Sequence, residues 1–240
     1  MTDSSSPPPL RYELKLVCDA PYLAQARSWL RLHPEGFSVA FPPRTVNSLY
    51  LDTPHLNSFN ANLAGVADRQ KLRLRWYGEI GDWRLLVSSL QSPISNPTLE
   101  LKYKRNLLGG KKQQVLNCVL DWQRPYAHLL TVIQQAADPE WQQWLTAATQ
   151  PTLLNHYRRE YYVTADGAIR ATLDYDQVAY EQRLSSRPNL TSPVKMPDLV
   201  VIELKCTPEQ IERLQGVIGR FPLPRSRNSK YVNGVLGEVG

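Results

Sequence analysis

Residues 71–78 read KLRLRWYG, so that Lys71, Arg73 and Arg75 alternate with Leu72, Leu74 and Trp76. A period of two is that of a β-strand, whose successive side chains leave on opposite faces. The segment therefore carries cations on one face and an apolar, aromatic surface on the other. Like charges side by side on a sheet repel unless water or an anion neutralises them. The fold must give this cationic face one of those two partners.

The rest of the chain narrows the choice. Its 240 residues, 42% hydrophobic and 21% charged, are enough for a sizeable globular core. The formal charge of +6 suits an anionic partner without choosing among nucleotide, polyphosphate, nucleic acid and membrane surface. Cys18, Cys118 and Cys206 are far apart and odd in number, which argues against a disulfide framework and for a reducing compartment. His33, His55, His128 and His156 show no metal-ligand spacing. The opening MTDSSSPPPL lacks the basic start and apolar stretch of a signal peptide, and no run is long enough to cross a bilayer. The expectation is a soluble, cytoplasmic protein with a disordered leader over residues 1–9 and one domain over 10–237.

Alternation recurs along that domain. RYELKLV sets Arg11, Glu13 and Lys15 against Tyr12, Leu14 and Leu16, and a helix is expected over about 21–33, with Pro21 at its start. After a break at Pro42-Pro43, RTVNSLYLDT reads as a strand, and TLELKYKRN follows the opening segment with Glu100, Lys102 and Lys104 on one side. Gly109-Gly110 reads as a hairpin turn into KKQQVLNCVL. Residues 121–150 change to helical spacing, as two helices broken near Asp138-Pro139. Strands resume in LLNHYRREYYV, AIRATLDYD and QVAYEQRL, and a polar loop over 185–198 leads into LVVIELKC. A helix opened by Thr207 and Pro208 completes the pattern. Many strands with few intervening helices point to an α+β, mainly antiparallel β architecture: a barrel or sandwich with helices packed outside.

A charged strand face is ordinarily a solvated outer surface, and for any one of these strands that is the simpler account. Recurrence favours another. Glu13/Lys15, Lys71/Arg73/Arg75, Glu100/Lys102 and Glu203/Lys205 repeat the alternate spacing, and Arg170 and Asp174 extend it. In a closed barrel these faces could all point inward. Such a lining is a poor core, because buried charges are costly unless paired or ligated. It suits a polyanion bound with a divalent metal, since guanidinium groups pair with phosphate oxygens and carboxylates hold hard cations.

Taken in order, ExK at Glu13 and Lys15, KLRLRWYG, ELKYK, YRREYY, IRATLDYD, VIELK and a terminal SKY resemble the vacuolar transporter chaperone (VTC) domain, of the triphosphate tunnel metalloenzymes that include the CYTH triphosphatases. The resemblance runs from about residue 11 to 237 and implies a closed tunnel barrel that binds a triphosphate with Mn²⁺ or Mg²⁺. It implies phosphate contacts from Lys15, Arg73, Arg75, Lys102, Tyr157, Arg159, Arg170, Arg227, Ser229 and Lys230. Lys112, or its neighbour Lys111, adds another. Glu203 is the implied metal carboxylate, with Glu13 and Glu100 as further metal candidates. Arg73, Arg75, Lys102, Arg170 and Glu203 make up the expected catalytic set, and Lys71, at the strand's entrance, is expected nearer solvent.

The activity this implies is polyphosphate synthesis, in which the terminal phosphate of ATP passes to a polyphosphate chain. A CYTH triphosphatase opens with ExExK, and here Arg11 stands at the first Glu, which removes a carboxylate and tilts the reading from hydrolysis toward synthesis. Triphosphate hydrolysis and non-catalytic polyphosphate binding remain the alternatives. Nucleic acid is not an expected partner, because Leu72, Leu74 and Trp76 lie opposite the cations rather than among them. Family relatives often work beside membrane segments or regulatory domains, so a membrane or regulatory partner chain would supply export or control.

Overall fold

The computed structural model describes residues 12–78, 93–105, 108–222, 230–236 and 238–239. The expected leader, Arg11, Arg227 and Ser229 lie outside them. The alternating segments form β1 (Tyr12–Asp19), β2 (Ser38–Asp52), β3 (Asp68–Gly78), β4 (Ile94–Ser95), β5 (Thr98–Arg105), β6 (Leu108–Val115), β7 (Val119–Leu120), β8 (Gln150–Val163), β9 (Arg170–Glu181), β10 (Val194–Lys195), β11 (Leu199–Cys206) and β12 (Glu238–Val239). One eight-stranded sheet runs β1-β11-β9-β8-β2-β3-β5-β6, every neighbouring pair antiparallel. Short pairs β4-β7 and β10-β12 lie outside it.

The apolar half of each alternation faces helices. Leu49, Leu51, Leu72, Leu74, Leu99 and Leu101 pack beneath the middle helical segment, Tyr126–Ala136 and Gln142–Ala147, joined by a 3₁₀ turn at Pro139–Trp141. Tyr126, Leu129 and Ile133 recur at helical spacing and form the buried stripe of the first of these helices. On the other flank, Leu16, Leu173, Ile202 and Leu204 meet Ala26 and Leu30 from the helix Leu23–Arg31, and Leu214, Val217 and Ile218 from Ile211–Gly219. Each fully buried leucine here contributes about 1.5–3 kcal/mol by leaving water. With both outer flanks dry, the charged faces turn to the inside.

One end of that inside is filled. Tyr50, Leu153 and Ala179 cluster with Phe59 and Leu56, from and beside the helix Asn57–Leu63, and with Val232 and Val235 from the helix Lys230–Leu236. The last helix lies so close that a Cβ on Gly234 would stand 2.4 Å from a Leu153 methyl. The hydrogen-bonded ladder leaves β1 and β6 as edges, and these edges run side by side. Lys102 of β5 spans to Glu13 of β1 at 2.9 Å. Among the described residues this ion pair bridges the two ends of the sheet, in keeping with the closed tunnel barrel and outer helices expected from the sequence.

Other boundaries also differ. Pro42-Pro43 does not break the chain; β2 runs through it, with register shifts against β8 between Val39, Phe41 and Arg44. Pairing with β3 begins only at Thr45, so no ladder on that side requires the missing proline N–H groups. Gly109 and Gly110 are not the turn but strand residues of β6, opposite Lys104 and Tyr103. A Cβ on Gly110 would come within 2.3 Å of the Tyr103 ring, so any larger residue there would displace that ring. AIRATLDYD and QVAYEQRL form the single strand β9, bulged where Asp176 takes φ 52°. The 185–198 loop contains β10, and Thr207 holds the cap position of the turn Pro208–Gln210 without a side-chain cap hydrogen bond.

Candidate functional site

Register decides which side chains meet. Arg73 lies opposite Glu100 on β5 and Tyr50 on β2, while Arg75 lies opposite Ser48. Arg73 donates Nε (2.8 Å) and Nη2 (2.6 Å) to Glu100 Oε2. Arg75 approaches the same oxygen at 3.5 Å, and Lys111 Nζ reaches Oε1 at 3.2 Å. Glu100 is only 2% exposed. Burial alone would raise its carboxyl, yet Arg73, Arg75 and Lys111 hold it far below the usual carboxylate range.

A second group spans β1 and β11. Lys15 pairs in register with Glu203 and stands between two carboxylates, 3.7 Å from Glu203 and 3.8 Å from Glu13. Lys205 is in contact with Glu203. Burial opposes ionisation of Glu203, but Lys205, Lys15, Lys102 and Arg159 keep its carboxyl well below the ordinary value. Glu13 is lowered too: burial and Glu203 act against ionisation, and Lys102, Lys15 and Lys205 outweigh them.

The third group joins β8, β9 and the helix Lys230–Leu236. Arg159 grips both oxygens of Asp174 at 2.6 and 2.7 Å, and Lys230 Nζ adds a contact at 2.8 Å. Tyr157 lies beneath both cations, its ring centroid 5.2 Å from the Arg159 guanidinium and 4.6 Å from Lys230 Nζ. Its hydroxyl accepts from Arg75 at 3.4 Å, which ties this group to the first.

Lys15, Arg73, Arg75, Lys102, Tyr157, Arg159, Glu203 and Lys230 thus share one inner surface with Glu13 and Glu100. Two residues singled out from sequence are placed differently. Lys112 lies opposite Leu101, so it points outward, 3.1 Å from Glu140 and 5.6 Å from the Trp144 ring centroid. Its neighbour Lys111, opposite Lys102, is the inner one. Arg170 is opposite Lys205 but exposed, at the first position of β9, on the rim rather than among the buried charges. Lys71, expected near solvent, is half-buried; burial, then Lys15, Lys102, Arg73 and Arg69, push its ammonium down to about 7.

The surface also holds groups that sequence reasoning passed over. Ser48 accepts from Arg75 Nε at 3.3 Å, and Tyr50 accepts from Arg73 at 3.5 Å. Asn155, opposite Ser48 and wholly buried, has neither side-chain amide atom hydrogen-bonded, and Thr172, opposite Glu203, has a buried hydroxyl in the same condition. Buried polar atoms without partners are costly, and here they face a cationic interior. The signal for Asn155 was its alternation with Tyr157, Arg159 and Tyr161; for Ser48 and Thr172 no charge marked the position.

A divalent cation tests the donor set. Among the described residues no three Asp, Glu, His or Cys side chains gather into a metal cluster. Glu100 and Asp174 are each gripped by arginine and lysine; Glu13 and Glu203, which flank Lys15 from adjacent strands, are paired with lysines alone, Glu13 with Lys102 and Glu203 with Lys205. Mg²⁺-like ions are commonly held by one or two carboxylates completed by water and substrate phosphates. The Glu13–Glu203 pair fits that mode.

No helix among the described residues is long and apolar enough to cross a membrane. Among solved structures, a protein from Pyrococcus horikoshii is 14% identical, with 93% of this chain and 96% of that chain covered and a TM-score of 0.47. A Hippeastrum protein, described as an adenylyl cyclase candidate with a dominant triphosphatase activity, is 14% identical with 92% of each chain covered and a TM-score of 0.49. A chain of the Schizosaccharomyces pombe Mediator head module is 8% identical, with 88% and 96% covered and a TM-score of 0.50, a likeness of fold alone. No curated protein matches the chain significantly. The VTC domain pattern matches residues 11–237, the span that supplies every strand of this inward-charged sheet, and the chain belongs to the VTC domain family, with its triphosphate-tunnel fold.

Proposed function

We propose that the inner surface binds a metal-complexed nucleoside triphosphate and passes its terminal phosphoryl group to a polyphosphate chain. Arg73, Arg75, Lys102, Lys15, Arg159 and Lys230 bind phosphate oxygens, assisted by Tyr157 and by Lys111 in the role first given to Lys112. Arg170 guides the polyanion at the rim, and Arg227 and Ser229 are assigned phosphate contacts by family resemblance. Glu203 with Glu13 would hold Mn²⁺ or Mg²⁺, which supplies Lewis-acid charge neutralisation on the phosphoryl group. A terminal oxygen of the chain attacks the γ-phosphorus, the bond to the β,γ-bridging oxygen breaks, and ADP leaves. Arg73 and Arg75 stabilise charge on the transferred group by positioned donors rather than by proton transfer.

The observation that carries this reading over hydrolysis is the state of the inner carboxylates. Lys102 lies on Glu13, Arg73 on Glu100, Arg159 on Asp174 and Lys205 on Glu203, and although burial opposes their ionisation these cations hold all four carboxyls below the ordinary range. A carboxylate so stabilised is a weak base, poorly suited to activating water. A phosphate oxygen is already ionised at neutral pH and needs none. Incubation with ATP and Mn²⁺, with products resolved by gel, should give chains that lengthen with time; phosphate release without chain growth would overturn synthesis in favour of a triphosphatase.

A further inference from the structure

The barrel end opposite the Lys230–Leu236 helix carries a cluster that phosphate binding leaves unused. On β3 and β8 the inner face continues past its last buried arginine to an aromatic ring: Arg75 to Tyr77, and Arg159 to Tyr161. Phe41 of β2 lies opposite Tyr161, the rings edge to face at 5.8 Å. The Arg44 guanidinium sits among all three, 5.8 Å from the Phe41 centroid, 5.7 Å from Tyr77 and 5.8 Å from Tyr161. Phe41 is 55% and Tyr77 48% exposed, and Arg44 is exposed beside them.

We propose that Phe41, Tyr77 and Tyr161, with Arg44, form a stacking platform for the base of a nucleotide whose phosphates occupy the inner surface. The inference rests on the tunnel reading and adds the subsite that reads the nucleoside. Two strand residues advance about 7 Å, so the rings stand about one nucleoside beyond Arg75 and Arg159. The occupant is a base because it arrives tethered to phosphates the neighbouring arginines attract, and it meets ring faces and a guanidinium plane that stack on any base. The platform separates donor from product. A nucleotide engages both subsites, whereas a bare polyphosphate chain engages only the inner one and can move past the rim.

Affinities of the full chain for Mg²⁺–ATP and for tripolyphosphate, measured by titration calorimetry, test this. Stacking on this scale corresponds to roughly five- to hundred-fold in affinity. Phe41→Ala/Tyr77→Ala should lose about that for ATP while binding tripolyphosphate within about two-fold of wild type, which also shows that the variant folds. Phe41→Leu/Tyr77→Leu, which keeps apolar bulk without a π-face, should behave alike. Equal losses for both ligands, or none for ATP, would overturn the platform and leave the tunnel reading standing. A wild-type protein that binds neither ligand would overturn both.

Discussion

Arg73 places Nε and Nη2 on a single oxygen of Glu100, at 2.8 and 2.6 Å, inside a surface where cations predominate. Without ligand, Glu100 is the anion that keeps Arg73, Arg75 and Lys111 from repelling one another. Breaking a buried pair by removing one partner typically costs about 3–5 kcal/mol. Glu100→Gln should therefore melt well below wild type without ligand, and tripolyphosphate should raise its melting temperature more than it raises that of wild type. Equal ligand-induced shifts would show that Glu100 does not stand in for phosphate.

Glu203 separates metal binding from charge balance. Glu203→Gln removes a carboxylate from the Glu13–Glu203 pair and leaves Lys15 and Lys205 less neutralised. Turnover of ATP with Mn²⁺ should fall by about 10²-fold or more, while metal-free tripolyphosphate binding should hold or strengthen. Parallel loss of both in the two assays would mean a structural role.

Asp174 sets an acid limit to stability. Burial opposes its ionisation, yet Arg159 and Lys230 hold the carboxyl at about 2. An unfolded aspartate titrates near 3.9, so this depressed group contributes stability that is complete above that value and lost as pH falls toward 2. The difference amounts to roughly 2–3 kcal/mol. Denaturant unfolding of wild type and Asp174→Asn between pH 5 and 2 should converge toward the acid end, as wild type alone loses this contribution.

Lys71 should make binding proton-linked. Its ammonium, pushed down to about 7 by burial and by Lys15, Lys102, Arg73 and Arg69, is largely neutral at pH 8. A bound polyanion offsets those cations and restores the proton. In the free protein the folded state binds fewer protons than the unfolded one between pH 7 and about 10.4, so Lys71 makes stability rise with pH across that window. Calorimetry of tripolyphosphate binding at pH 8, in buffers of different ionisation enthalpy, should show uptake of up to about one proton in wild type, and less in Lys71→Met.

The period-two alternation made the antiparallel sheet and the shared face of Arg73, Arg75, Glu100, Lys102, Glu203 and Lys15 legible, because a strand leaves its side chains no other arrangement. Register was less legible. Gly109-Gly110 resembles a turn by composition, yet the Tyr103 ring over Gly110 is a cross-strand contact that a local reading cannot contain. Pro42-Pro43 resembles a break, but β2 carries both prolines in a register shift against β8, before its pairing with β3 begins. Ser48, Asn155 and Thr172 carry no charge, and only the interior around them gives their hydroxyl and amide groups significance.

The two lysines after Gly110 turn that register into a measurement. Lys111 reaches Glu100 at 3.2 Å on the inner surface, whereas Lys112 meets Glu140 at 3.1 Å on the outside, both partners well exposed. An exposed ion pair is worth about 0–1 kcal/mol, and a surface charge outside the barrel adds little to binding within it. Lys111→Ala should therefore weaken tripolyphosphate binding by about ten-fold, the scale of one charge-assisted hydrogen bond. Lys112→Ala should leave it within about two-fold and shift stability by less than about 1 kcal/mol. The reverse ranking would mean that β6 is displaced by one residue, since a single-residue slip moves every side chain of a strand to the opposite face.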